Sequence, residues 1–119
     1  MKLTTPIEPV NFNFSATYNT RFVSIGSCFA ESMAGYLKSL KFKIVSNPSG
    51  VVYNPVSIAT FIENAICRRS YSENDLNLAD GLFYSYDFHG SFSHHNTQEC
   101  LSLMNQRMAE SYDALSNCN

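Results

Sequence analysis

The stretch Arg21-Phe22-Val23-Ser24-Ile25-Gly26-Ser27-Cys28-Phe29-Ala30-Glu31 decides how this chain is read. Its residues 22–25 form a short apolar run with β-branched members, closed by Gly26, which is the pattern of a buried strand. Beyond the glycine the period changes. Phe29, Met33, Tyr36, Leu37 and Leu40 recur at helical spacing, while Glu31, Ser32, Lys38 and Ser39 fall elsewhere on the wheel. Residues 21–40 thus predict a strand, a tight turn and a helix. Lys41-Phe42-Lys43-Ile44-Val45 then restores a strand pattern. Two strands joined through one helix make a βαβ unit, with a parallel pair and a right-handed crossover.

Outward from this unit the signals are local. Residues 1–20 read as an extended lead-in, with Phe12 and Phe14 alternating against Asn11 and Asn13. Ser46-Asn47-Pro48-Ser49-Gly50 is a dense turn signal, and Asn54-Pro55 starts a helix with Asn as cap and Pro at the first helical position. That helix is expected to run to about Arg69, with Ile58, Phe61, Ile62, Ala65 and Ile66 inward. Ser72-Glu73-Asn74-Asp75 resembles a capping box. Over residues 82–88 the period becomes two, with Leu82, Tyr84, Tyr86 and Phe88 on one face. Gly90 as a turn and Ser91-Phe92-Ser93 after it predict a small hairpin beside the main sheet. Asn96, with Glu99 three residues on, opens a last helix carrying Leu101, Met104, Met108, Tyr112 and Leu115 on one stripe.

Composition narrows the function classes. The 119 residues allow one domain at most, and 45% hydrophobic against 15% charged content reads as globular. A formal net charge of -2 argues against a nucleic-acid surface, and the Arg68-Arg69 pair is explained by complementing a helix C-terminus. Pro6, Glu8, Pro9 and Asn11 interrupt any secretory leader, and no stretch has the length of a membrane span. Cys28, Cys67, Cys100 and Cys118 are unevenly spaced, which suggests reduced thiols and a cytoplasmic location.

Chemistry is expected at the turn. A residue just after a strand and at a helix N-terminus sits on a sharp bend, where the first helical N–H groups and the dipole favour a thiolate. Cys28 holds that place, Gly26 frees the backbone for the bend, and Ser27 is the rival nucleophile. The competing explanation is that Cys28 is a small packing residue.

The run from Phe22 to Glu31, and above all Gly26-Ser27-Cys28-Phe29-Ala30, resembles the namesake signature of the GSCFA family. Asn47-Pro48-Ser49-Gly50-Val51-Val52-Tyr53-Asn54-Pro55 is also similar to that family. The family in turn resembles the SGNH, or GDSL-like, esterases and lipases. The resemblance implies an α/β fold, a flavodoxin-like three-layer sandwich with a parallel sheet. Residues 1–119 would supply the N-terminal portion of its single domain, truncated before the sheet is complete. Placing Gly26 on the glycine of the Gly-Asp-Ser pattern puts Cys28 on the nucleophilic serine; a one-residue shift gives that role to Ser27. Gly50 matches the glycine whose N–H enters the oxyanion hole, and Asn47 would line the same site, with Asn54 more simply a cap.

The implied activity is ester hydrolysis or acyl transfer on a small-molecule or carbohydrate ester, with no cofactor. The pattern's Asp-x-x-His is not found around His89, His94 or His95, and its base is expected later in the domain, so the chain alone is expected to be inactive. The rival reading is a non-catalytic binding domain on the same fold. A metal site built from His89, His94, His95 and Cys100 is disfavoured, because their spacing matches no standard zinc arrangement.

Overall fold

The computed structural model describes residues 3–118. They form a mixed α/β fold with a small parallel sheet and three α-helices. β1 (Arg21–Ser24) and β2 (Lys43–Ser46) pair in parallel, Phe22 opposite Ile44 and Val23 opposite Val45, and α1 (Cys28–Ser39) joins them. This is the βαβ unit that the change of period predicts. Tyr18 and Phe22 close on the Phe42 ring, at 5.1 Å and 5.9 Å between centroids, beside the entry to β2. The lead-in has no regular structure over residues 5–12 and is exposed through Asn19.

The main core lies elsewhere. α2 (Pro55–Ile66) and α3 (Thr97–Ser116) pack on each other and enclose Phe61, Ala65, Tyr71, Phe88, Phe92, Cys100, Met104 and Met108. Rings meet edge to face at Phe61–Phe88 and Tyr71–Phe88, a geometry favourable to aromatic pairs. Tyr71 Oη–H donates to Asp87 Oδ2 (2.8 Å), which also takes Arg69 (3.2 Å); burial and that bond push the Tyr71 phenol far up. α3 carries the expected stripe, and Asn96 caps it by accepting from the N–H groups of Gln98 and Glu99. By contrast α1 buries only Ala34; Phe29, at 71% exposure, and Tyr36, at 61%, show most of their surface to solvent.

The predicted hairpin is misplaced. β3 (Asn77–Ala79) and β4 (Leu82–Tyr84) form the antiparallel pair, and the chain leaves the strand at Tyr84. The turn is Asp80-Gly81, both with positive φ (51° and 75°), the mirror-image turn that suits the twist of a two-residue hairpin. Gly90 instead opens a short 3₁₀ turn through Phe92. The chain returns only at an isolated bridge, where Phe83 and His94 exchange backbone hydrogen bonds (2.8 and 3.1 Å). Ser72 N–H and Oγ–H both donate to Asp75 Oδ2 (2.8 and 3.0 Å), forming the expected box around a 3₁₀ turn.

α2 stops at Ile66, short of Arg69, and Ile66 is exposed. The reason recurs in α1. Arg68 N–H donates to Ala65 C=O and Arg69 N–H to Asn64 C=O; Lys41 N–H donates to Lys38 C=O and Phe42 N–H to Leu37 C=O. Both are Schellman closures, whose pivot residue normally is glycine. Here the pivots are Arg68 (φ 52°) and Lys41 (φ 69°). A side chain in that region costs about 1 kcal/mol or more. Replacing Lys41→Gly is therefore expected to stabilise the fold by about 1 kcal/mol. Arg68→Gly should be near neutral, because Arg68 also stacks on the Tyr112 ring at 3.8 Å, a contact of about 0.5–1 kcal/mol that glycine loses. Chemical denaturation of both variants measures the difference.

Candidate functional site

Two loops leave the carboxyl ends of the parallel strands, the place where open α/β sheets gather their sites. The first is the turn Gly26-Ser27-Cys28; the second runs from Asn47 to the start of α2. Asn47 continues β2 by donating its N–H to Ser24 C=O (2.8 Å), then bends into the left-handed region (φ 42°), which asparagine tolerates. Its side chain reaches back across the pair. Asn47 Oδ1 accepts the buried Gly26 N–H at 2.8 Å. Val52 N–H donates to Gly26 C=O at 2.9 Å, so the glycine is held through both its polar groups by the neighbouring loop. Asn47 is itself 7% exposed, and its Nδ2 has no partner among the described residues.

This clamp sets what the turn presents. Ser27 is half-buried, and its Oγ accepts Phe29 N–H (3.3 Å) as the cap of α1. Cys28 is the first helical residue and is exposed. The N–H groups of Cys28 and Ala30 have no acceptor among the described residues, as first-turn amides of a helix should. Of the four thiols, Cys100 alone is buried; its S–H points to the carbonyls of Phe92 (3.4 Å) and Phe83 (3.5 Å), and burial pushes its thiol up.

Gly50 stands in the second loop with its N–H donated to Asn47 C=O (2.8 Å), closing a turn. Its φ of +84° demands glycine, and so does its neighbour: a Cβ there would come within 2.3 Å of His89 Cβ. His89 N–H donates to Ser49 C=O (2.9 Å). The fold lays His89 directly on Gly50. No spacing rule announces that contact, because it forms only when the segment after β4 returns to the loop after β2. His89 Nδ1 accepts from Ser91 N–H (3.2 Å), which puts the proton of the neutral ring on Nε2. His94 pairs with Glu99 (2.9 Å), and His95 Nδ1 lies 2.9 Å from Gly81 C=O. Asn54 serves as the cap of α2, accepting Val56 N–H at 2.8 Å. Between the loop that follows Gly50, the first turns of α2 and residues 86–89 lies an open cleft of about 480 Å³.

Two substitutions test the clamp. Asn47→Ala leaves the buried Gly26 N–H without an acceptor and is expected to cost about 1–3 kcal/mol of stability. Gly50→Ala forces a left-handed alanine against His89 and should cost about 2–3 kcal/mol. Equal stability of either variant with the parent, by urea titration, would remove the clamp from the account.

The model of the GSCFA family matches residues 21–119, from the first residue of β1 onward. No curated protein and no solved structure gives a match. The matched span takes in both strands of the parallel pair, the clamped turn and the loop that pins it; the chain belongs to the GSCFA family.

Proposed function

We propose that this domain carries out acyl transfer, as ester hydrolysis or transfer to a second hydroxyl, through a nucleophile in the turn Gly26-Ser27-Cys28-Phe29-Ala30. The observation that carries the reading is the placement of Cys28: exposed, at the first position of α1, on a turn pinned by Asn47. A helix N-terminus favours negative charge there, and a thiolate is the reactive form of cysteine. Ser27 fits the role less well, because its hydroxyl caps the helix. Attack of the thiolate on an ester carbonyl forms the C–S bond and a tetrahedral oxyanion; collapse expels the alkoxide, which takes up a proton. The N–H groups of Cys28 and Ala30, which have no acceptor among the described residues, stand at the helix end where such an oxyanion would form. Gly50 N–H is committed to Asn47 C=O in this arrangement, so it would join them only if that turn opened.

The resemblance to SGNH esterases supports the same reading, with these residues as the opening layers of a wider parallel sandwich. The exposed stripe of α1 and the two-stranded sheet are what such an opening would show. Four unpaired thiols suit a reducing, cytoplasmic setting, and no helix among the described residues is long and apolar enough to cross a membrane. The expected substrate is a small-molecule or carbohydrate ester. A binding domain without turnover is the second reading, favoured by the hydrogen bonding of His89, His94 and His95, none of which is bonded to the turn.

Incubation with p-nitrophenyl acetate followed by peptide mapping decides between them. An acetyl adduct is expected on Cys28, retained in Ser27→Ala and lost in Cys28→Ala. Modification of Cys67 or Cys118 with Cys28 untouched would defeat the nucleophile assignment, since those thiols are also exposed and lack the helix N-terminus.

A further inference from the structure

The cleft beside the clamped turn differs from an ordinary surface groove in what it offers. Tyr53 on one wall is 75% exposed and Tyr86 on the other is 82% exposed. Tyr86 is set in place by Tyr84, with the two rings edge to face at 5.4 Å and their hydroxyls 3.3 Å apart. Around the rings stand further hydrogen-bonding groups: the Ser57 and Thr60 hydroxyls on α2, and the Nε2 of His89, whose Nδ1 is engaged by Ser91. The only charged residue in the lining, Asp87, has Oδ2 occupied by Tyr71 and Arg69, and no lysine or arginine lines the cleft. A phosphate or carboxylate would find no cation. A purely aliphatic chain would leave the hydroxyls unused. A ring with apolar C–H faces and a hydroxyl rim uses both the tyrosine faces and the neutral polar groups.

We propose that this cleft is a saccharide-binding site, with Tyr53 and Tyr86 as its ring platforms and Ser57, Thr60 and His89 as hydrogen-bonding partners. Its walls are joined to the nucleophile turn. Val52 N–H holds Gly26 C=O, and His89 lies on Gly50 in the loop that also carries Asn47. A bound sugar is thereby positioned next to the turn. As the substrate class of the acyl-transfer site, the saccharide rests on the reading of Cys28 given above; as a binding site it does not.

Isothermal titration of the 119-residue chain with xylotetraose, cellotetraose and chitotetraose tests the assignment. At least one of the three is expected to bind, and Tyr53→Ala and Tyr86→Ala should each weaken it tenfold or more. Tyr36→Ala, at an exposed tyrosine on α1, should bind within twofold of the parent. The folding of each variant is checked by its circular dichroism melt; the substituted tyrosines are surface residues, so the melts should coincide. Absence of binding by all three sugars, or binding indifferent to both cleft tyrosines, overturns the proposal. Sugar binding without an acetyl adduct on Cys28 would sink the acyl-transfer reading alone. An adduct on Cys28 without sugar binding would sink this one alone.

Discussion

The hydrogen bond from Gly26 N–H to Asn47 Oδ1 spans the carboxyl ends of the two parallel strands, and the geometry of the site follows from it. Strand pairing alone fixes β1 and β2 up to Ser24 and Ser46, after which each chain is free to diverge. The amide of Asn47 prevents that divergence, and Val52 N–H repeats the restraint on the carbonyl side of Gly26. A buried hydrogen bond of this kind is worth only about 1 kcal/mol net, but its loss strands a buried donor. The turn is thus held by the cost of leaving it, and the position of Cys28 is inherited from a residue on the other strand.

The fold divides its apolar burial unequally. α2, α3 and the segment between β4 and α3 share the large core, while the parallel pair is covered on one side by α1, whose own outer stripe stays in solvent. The link between the two parts is polar as well as apolar. Asp87, bonded to Tyr71 and Arg69, anchors the segment that carries His89, and His89 meets the loop of Gly50. The helical core therefore supports one wall of the site without contributing a residue to the turn itself. Ile25, which packs on the core cluster from just before Gly26, ties the other side.

Where the determinants are local, the sequence announces them. The strand ended by Gly26, the Asn54-Pro55 start and the Asn96 cap are each decided within a few residues, and each stands as read. The hairpin signal is local too, in Asp80-Gly81, but the longer alternation of residues 82–88 competes with it. That alternation is real in composition and false in structure: Ser85 is buried and Tyr86 exposed, because the chain turns after Tyr84. The helix end at Ile66 was hidden because arginine occupies the pivot where glycine would mark a stop. Least legible were the long-range contacts, Asn47 on Gly26 and His89 on Gly50, which depend on how loops from separate elements converge.

The contacts around Gly26 and Gly50 share their members. Gly26 is tied to Asn47 and Val52, Asn47 to Ser24 and Gly50, and Ser49 to His89. Gly26 and Asn47 each belong to more than one of these bonds, so opening either loop at those residues breaks a bond to the other. In hydrogen-exchange terms, the amides of Gly26, Asn47, Gly50 and Val52 are expected to open with similar free energies, although they lie on different strands and in a region of loops. The reactive end of the sheet, where mobility would ordinarily be greatest, is thereby expected to be among the slower-exchanging parts of this chain.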